Sequence, residues 1–524
     1  MRKRLFQLLT LGAILPLVAA DKGFDEIVNE KFGAATGWFV QGIFKSIPVT
    51  ENVGIPWVVV VLLISALFFT FYFKFINIKG LGTSINVVRG KYDDIDHIEA
   101  DKNAAVNIVD GDVKGTITDE GEEGEVSHFQ ALTAALSGTV GLGNIAGVAI
   151  AVSIGGPGAT FWMILAGLLG MTSKFAECTL GVKYRDVDAD GTVYGGPMYY
   201  LKKGLAEIGQ GNLGKVLAVI FAIMCVGGSF GGGNMFQSNQ AAKIFNDTFN
   251  IQGSSSGLIF GLVMAVLVGI VILGGLKRIA SITEKVVPFM VGIYLLAAFI
   301  IIGANIEHLG WAFGEIIDGA FNPQGIAGGV VGVLVQGFRR AAFSNEAGVG
   351  SAAIAHSAVK TKYAASEGLV ALLEPLIDTV IVCTITALVI IITNGDGGIM
   401  TYGVAEADGV LATSKAFKSV IPWFPYVLTI AVVLFAFSTM ISWSYYGLQS
   451  WLYIFGKSKR NEIVYKVFFC FFTVVGASIT LGAVTDFSDA MIFAMAIPNL
   501  IGVFLLLPKI KEEINRYYLA IKKN

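Results

Sequence analysis

Several short stretches of this chain set polar side chains and bare backbone inside long apolar runs. The first is Ser137-Gly138-Thr139-Val140-Gly141-Leu142-Gly143-Asn144, in the middle of the run from Ala131 to Trp162. Its glycines favour unwound backbone over helix. Unwound backbone at membrane depth is tolerated only where it is buried in protein or lines a polar cavity. There it offers amides and carbonyls to a small zwitterion or a cation. Close helix packing explains Gly143 and Gly147, which lie four apart. It does not explain Ser137, Thr139 and Asn144. The spacing Gly141-x-Gly143-x-x-x-Gly147 superficially matches a dinucleotide loop, but no strand precedes it and no soluble βαβ unit surrounds it.

The second stretch runs from Gly337 to Ser351 and carries Arg339, Arg340, Asn345 and Glu346 inside a span. Charges there are expensive and functional by default. The plainer alternative is that Arg339 or Arg340 pairs with an acid such as Glu374 or Asp378 and knits the bundle. Phe343-Ser344-Asn345 and the glycines after them predict a second helix break. A half-helix N-terminus at such a break can hold a carboxylate on free amides, and carbonyl ends can hold a cation.

In Gly227–Gln240, Asn234 and Gln237 stand at i,i+3 and share a face. Such amides serve as interhelical glue, and Gln237 is also a candidate substrate contact. In Phe437–Tyr446, Ser438 and Thr439 are adjacent hydroxyls, hard oxygen ligands suited to sodium beside backbone carbonyls. Alone, they bond back to their own helix. Glu374 and Asp378 lie at i,i+4 on one face, as a proton or cation relay or as structural acids.

The elements that must position these residues are membrane helices. The 524 residues are 54% hydrophobic and 15% charged, where a soluble domain carries about 25% charged residues. Apolar runs at about 55–76, 129–153, 157–181, 213–245, 256–276, 285–304, 326–354, 366–393, 425–455, 463–482 and 487–508 predict an all-α polytopic protein of about eleven spans. Residues 1–20 read as a signal peptide: a basic start, an apolar core and a small-residue end at Val18-Ala19-Ala20. Residues 21–54 form a periplasmic amphipathic segment and 55–78 a first span. Residues 79–128 form a cytoplasmic loop, acidic over 92–126. Residues 509–524 are a basic amphipathic tail, read as a cytoplasmic surface helix. Lys and Arg concentrate in alternate loops, among them Lys183, Arg185, Lys277, Arg278, Lys457, Arg460 and the tail. The opposite loops at 154–157, 246–255, 305–325 and 483–488 have none. That contrast predicts a periplasmic N-terminus and a cytoplasmic C-terminus in the inner membrane. The four cysteines have no paired spacing and the four histidines form no cluster, so no zinc site or disulfide framework is expected.

At these residues the chain resembles the alanine/glycine:cation symporters, also called sodium:alanine symporters, of the amino acid–polyamine–organocation superfamily. ALSGTVGLGNIAGVA (135–149), GGPGATFWM (155–163), KFAECTLGVKYR (174–185), GGPMYYL (195–201), GNMFQSNQ (233–240), RRAAFSNEAGVGSAAIAHSAVKT (339–361) and FSTMISWSYYG (437–447) carry the resemblance. It implies a leucine-transporter-type fold of five plus five inverted helices with one extra N-terminal helix. The first repeat is 129–304 and the second 305–508, with an outer loop at 394–424. It implies that Gly138, Thr139 and Gly141 meet a substrate carboxylate and that Gln237 contacts the polar head. Phe343, Ser344 and Asn345 line the second break, with Phe343 as a lid, and Trp443 closes the side-chain end. Sodium sits between carbonyls near Ser137 and Val140 and the hydroxyls of Ser438 and Thr439. The long acidic loop and the cleavable start depart from the family pattern without touching these motifs.

The expected activity is sodium-driven import of alanine or glycine by alternating access, with no enzyme activity and no cofactor beyond the coupling ion. A proton-coupled amino-acid transporter and a passive channel for small polar solutes are the alternatives. The channel reading lacks a ring of carbonyls or charges. An intramembrane enzyme lacks HExxH, a Ser–His dyad or paired aspartates in a catalytic context.

Overall fold

The computed structural model describes residues 24–50, 53–96, 124–479 except 190, 252, 254, 324–325, 327, 396–397 and 405–408, and 482–523. The expected signal peptide and most of the acidic loop lie outside the described residues. Helix α1 (Phe24–Ile43) leads into a hairpin, β1 (Ser46–Thr50) with β2 (Val53–Pro56), in which Ile47 faces Ile55. The amphipathic segment is therefore a helix plus a two-stranded sheet. Next come α2 (Trp57–Tyr72), α3 (His128–Thr139), α4 (Val148–Gly155), α5 (Ala159–Lys183), α6 (Pro197–Glu207), α7 (Gly211–Phe230), α8 (Phe236–Thr248), α9 (Ser256–Ile272) and α10 (Gly275–Ala304). The second half holds α11 (Leu309–Phe321), α12 (Gly329–Asn345), α13 (Ala352–His356), α14 (Ala364–Ala371), α15 (Thr384–Thr393), α16 (Gly409–Val420), α17 (Phe424–Phe455), α18 (Lys459–Ser478), α19 (Gly482–Leu505) and α20 (Leu507–Lys523).

Among the described residues, seven helical stretches are long and apolar enough to cross a membrane, and a bent pair, α3 with the helix from Gly143 to Gly155, makes an eighth. α2 and α9 are shorter apolar helices. The span expected to open at 285 begins ten residues earlier, at Gly275, because Lys277, Arg278 and Glu284 wind into the same helix. The outward faces of α2, α9, α10 and α18 expose Phe71, Val266, Leu296 and Val467, as helices bathed in lipid do.

α3 starts with a capping box: the Gln130 amide donates to Ser127 Oγ, and the Ser127 amide donates to Gln130 Oε1 at 3.1 Å. α3 lies against α10 and α17, while α4 lies against α12. Three elements outside the spans dock on this core. α1 and the residue after it pack aromatic rings on α19, Phe39 on Phe487 at 5.8 Å and Phe44 on Phe493 at 5.5 Å. α16 forms within the expected outer loop and seats on the first break, where Thr413 Oγ1 donates to the Ile145 carbonyl at 3.1 Å. α20 buries Ile510 and Tyr517, and Tyr517 meets Tyr363 with centroids 5.4 Å apart.

Close backbone contact fixes where α5 begins. A methyl on Gly158 would lie 2.1 Å from the Gly319 carbonyl carbon on α11. Gly158→Ala must push the two backbones apart and is expected to cost about 1–3 kcal/mol. Thermal unfolding of the purified protein in detergent should show a lowered midpoint, with Gly292→Ala, which has open space around it, unchanged.

Candidate functional site

The first expected break is present. α3 ends at Thr139, Val140 is extended at φ −74, ψ 91, and a wide π-helical turn at Gly143–Gly147 restarts the helix. The two halves bend by 52°. Asn144 stabilises the turn from within: its Oδ1 accepts from the Gly141 amide at 2.8 Å. The second break comes a few residues later than expected. Helix α12 continues through Phe343, Ser344 and Asn345, and the chain leaves it at Glu346, which is left-handed at φ 55. Gly348 and Gly350 are also at positive φ before α13 begins. Asn345 caps this exit, accepting from the Ala347 amide at 3.0 Å and donating to Thr379 Oγ1 at 2.9 Å.

The two breaks meet. A methyl on Gly143 would lie 3.5 Å from Ser344 Cα, an ordinary van der Waals contact, so the two breaks touch there without requiring a glycine. Gly147 has open space around it, so neither glycine of this pair is required for helix packing. Asp378 joins the two helices chemically. Its carboxylate accepts from Asn144 Nδ2 at 2.7 Å, Ser344 Oγ at 2.8 Å and Thr379 Oγ1 at 2.6 Å. The arginine does pair across the bundle, but with a different acid from Glu374 or Asp378: Arg339 approaches Asp489 on α19 at 3.6 Å and covers the Phe44 ring at 4.8 Å. Glu374 pairs instead with Lys174 at 2.9 Å. The arginines lie on the half of α12 before the break, whereas Glu374 sits beside the half after it.

The polar face of the first break is the striking-distance partner of α8 and α17. A methyl on Gly141 would lie 2.5 Å from Thr439 Oγ1 and 3.5 Å from Gln237 Oε1; one on Gly138 would lie 3.0 Å from the Tyr446 hydroxyl. Thr439 Oγ1, Gln237 Oε1 and the Tyr446 hydroxyl are all buried without a hydrogen-bond partner. Buried polar atoms normally have partners, so three orphans converging on two glycines mark a place built to bond something else. The hydroxyls can donate to a carboxylate or ligate a cation, and the Gln237 carbonyl can accept from an ammonium. Gln237 is held in place by its own Nε2, which donates to the Gly232 carbonyl at 3.0 Å.

Ser137 and Ser438 come together: Ser137 Oγ donates to the Ser438 carbonyl at 2.7 Å, tying α3 to α17. Ser438 Oγ bonds back to the Phe435 carbonyl at 3.0 Å. Thr139 Oγ1 bonds back to Ala135 at 3.3 Å, and Val140 is fully buried. Phe343 packs edge-on against Phe236 at 6.0 Å. Trp443 lies over Gly233, where a methyl would meet its ring at 2.3 Å, and its Nε1 donates to Glu346 Oε1 at 3.2 Å. Asn345 faces Thr379 and Gly170, not the glycines of the first break. Asn234 does not share a partner with Gln237. The π-helical turn Gly231–Met235 shifts the register, and Asn234 donates to the Phe469 carbonyl at 2.7 Å as interhelical glue. Sequence reasoning missed Tyr446 and the bridging role of Asp378. The spacing Thr439, Trp443, Tyr446 along one helix face was the available signal for Tyr446. For Asp378 no local signal existed.

Two interrupted helices meeting inside the bundle, with unpartnered oxygens around bare backbone, define a multi-pass carrier of the leucine-transporter fold. The crystal structure of MhsT in complex with L-phenylalanine aligns over 74% of this chain and 99% of its own, with TM-score 0.50 and 16% identity. The sodium:alanine symporter family profile matches residues 40–524. The sodium/alanine symporter AgcS of Methanococcus maripaludis is 42% identical over 78% of this chain and 87% of its own. "Probable sodium/glutamine symporter GlnT" of Bacillus subtilis is 33% identical over 86% and 85%. The chain belongs to the sodium:alanine symporter family, whose activity is cation-coupled amino-acid symport.

Gly141→Ala must displace Thr439, and Gly147→Ala meets nothing within 4 Å. The first is expected to abolish amino-acid binding, read by isothermal calorimetry on purified protein, and the second to bind as the parent does. Equal binding by both would show that the Gly141–Thr439 contact is not part of the site.

Proposed function

We propose that this protein imports a small neutral amino acid, alanine or glycine, with sodium, by alternating access. The observation that carries the reading is the convergence of Thr439 Oγ1, Gln237 Oε1 and the Tyr446 hydroxyl on Gly138 and Gly141. In this reading the substrate carboxylate meets Gly138, Thr139 and Gly141 beside the unpartnered Tyr446 hydroxyl, and the substrate ammonium takes Gln237 Oε1. Ser344 and Asn345 set the shape of the second break, and Phe343 is the lid. Trp443, pinned over Gly233 and by Glu346, limits side-chain length. That limit favours alanine over the glutamine in the name of one relative.

Sodium takes the carbonyls near Ser137 and Val140 together with the hydroxyls of Ser438 and Thr439. The Ser137–Ser438 bond already holds these two helices at one height. Sodium joining α3 to α17 favours the state that accepts substrate from outside, and bound substrate then permits closure and rocking. The membrane potential supplies about 2.3 kcal/mol per charge per 100 mV. The basic-loop contrast supports a periplasmic N-terminus and a cytoplasmic C-terminus in the inner membrane.

Proton coupling is a second reading with its own observation: Asp378 is a buried carboxylate whose described partners are amide and hydroxyl donors, with no cationic side chain among them. A proton or a sodium ion there would neutralise it and bias both breaks together.

Proteoliposomes with an inward sodium gradient should accumulate labelled alanine uphill, and unlabelled glycine should compete while glutamine does not. Equilibration without accumulation would identify a channel, and accumulation under a proton gradient alone would replace sodium. Thr439→Ala should raise the sodium concentration for half-maximal uptake about tenfold, the loss of one charge-assisted contact. Asp378→Asn should leave that value within about twofold if sodium binds at Ser438–Thr439, and shift it if the carboxylate is the ion site.

A further inference from the structure

A second polar cluster lies at the opposite ends of α3 and α13 from the outer helix α16. Residues 124–127 precede α3, and residues 357–361 follow α13. The two stretches are zipped together: the Glu125 amide donates to the Ala358 carbonyl at 2.7 Å, and the Lys360 amide donates to the Val126 carbonyl at 2.8 Å. Val126 and Val359 form a parallel bridge. Arg185, just past α5, clamps the same loop by donating to the Ser357 carbonyl at 2.9 Å and the Thr361 carbonyl at 3.1 Å.

One carboxylate spans the junction. His128 is the first residue of α3 and His356 the last of α13. Glu367 on α14 meets His128 Nδ1 through Oε2 and His356 Nδ1 through Oε1. Each oxygen therefore holds the histidine of one interrupted helix. The other face of His356 lies 3.6 Å from Glu374, which pairs with Lys174 at 2.9 Å. Glu177 stands 4.0 Å from Lys174, with Cys178 next to it on α5. Glu367 and His356 are fully buried.

A carboxylate taken out of water is retained only where its oxygens are well bonded. Charge-assisted hydrogen bonds are about twice as strong as neutral ones. Here both arms end on the half-helices that must separate from their neighbours for a path to open at this end, which the basic-loop count assigns to the cytoplasm. We propose that Glu367 is the positioning residue of the inward gate. Its charge holds the inward ends of both broken helices together through His128 and His356, and inward opening requires that clasp to part. The proposal rests on the alternating-access reading above, but its test needs no transported substrate.

Hydrogen exchange is measured on the full chain in lipid nanodiscs. Glu367→Gln keeps the shape and removes the charge; Glu367→Asp keeps the charge. Amide exchange in 124–130 and 352–361 should rise about tenfold in Glu367→Gln and stay within about threefold of the parent in Glu367→Asp, with α16 unchanged in both. A folded Glu367→Gln protein with parental exchange in both segments overturns the proposal, and so does a Glu367→Asp protein as open as Glu367→Gln. If Glu367→Gln does not fold, His128→Gln and His356→Gln each remove one arm. Each should then raise exchange several-fold in the segment that it releases, and no rise in either overturns the clasp. A parental clasp in a protein that accumulates no amino acid would count against the transport reading alone.

Discussion

Backbone amides and carbonyls freed in the middle of a bilayer have no water to turn to. Every feature of the central bundle answers that constraint at Val140–Gly143 and Glu346–Ser351. Asn144 caps the first break from inside its own turn, and Asn345 caps the second. Asp378 then binds Asn144 and Ser344 together, so neither break exists independently of the other. Beside the first break, Thr439 Oγ1, Gln237 Oε1 and the Tyr446 hydroxyl on the neighbouring helices stay without a partner. In the transport reading proposed above, those atoms are the part of the arrangement left for a ligand to complete.

The same constraint explains the unusual charge inventory. Lys174, Glu177, Glu367, Glu374, Asp378, Glu346 and His356 are all buried within one region. A charge left there without hydrogen-bond partners would be prohibitive, and each named group has them: Lys174 with Glu374, His356 with Glu367, Glu346 with Ser351 and Trp443, and Asp378 with Asn144, Ser344 and Thr379. Removing one partner strands the other. These residues therefore fix where the half-helices can sit.

Glycine has two distinct uses here. At Gly158 and Gly447 it lets neighbouring elements touch: a methyl on Gly447 would meet the Tyr465 hydroxyl at 2.0 Å. At Gly138 and Gly141 it keeps the backbone bare toward polar side chains. The first use stabilises the bundle, the second leaves space for chemistry, and only neighbours distinguish them. Gly147 belongs to neither class, although its spacing from Gly143 suggests packing.

The apolar runs, each about as long as a bilayer is thick, determined the spans, and clustered glycines inside them determined that two would break. Those are local properties, written in consecutive residues, and the helices follow them within a few positions apart from the early start of α10. Ser137, Thr439 and Gln237 were legible as candidates because hydroxyls and amides are conspicuous in lipid. Tertiary structure alone decided which of them face one another. It sent Asn234 to α18 and Gln237 to the first break, turned Asn345 into a cap, gave Asp378 to Asn144, Ser344 and Thr379 rather than to arginine, and folded a helix from the outer loop onto the first break. Each of those outcomes depends on a neighbour tens to hundreds of residues away or on a π-helical turn that shifts register, and periodicity in a single stretch carries no record of either.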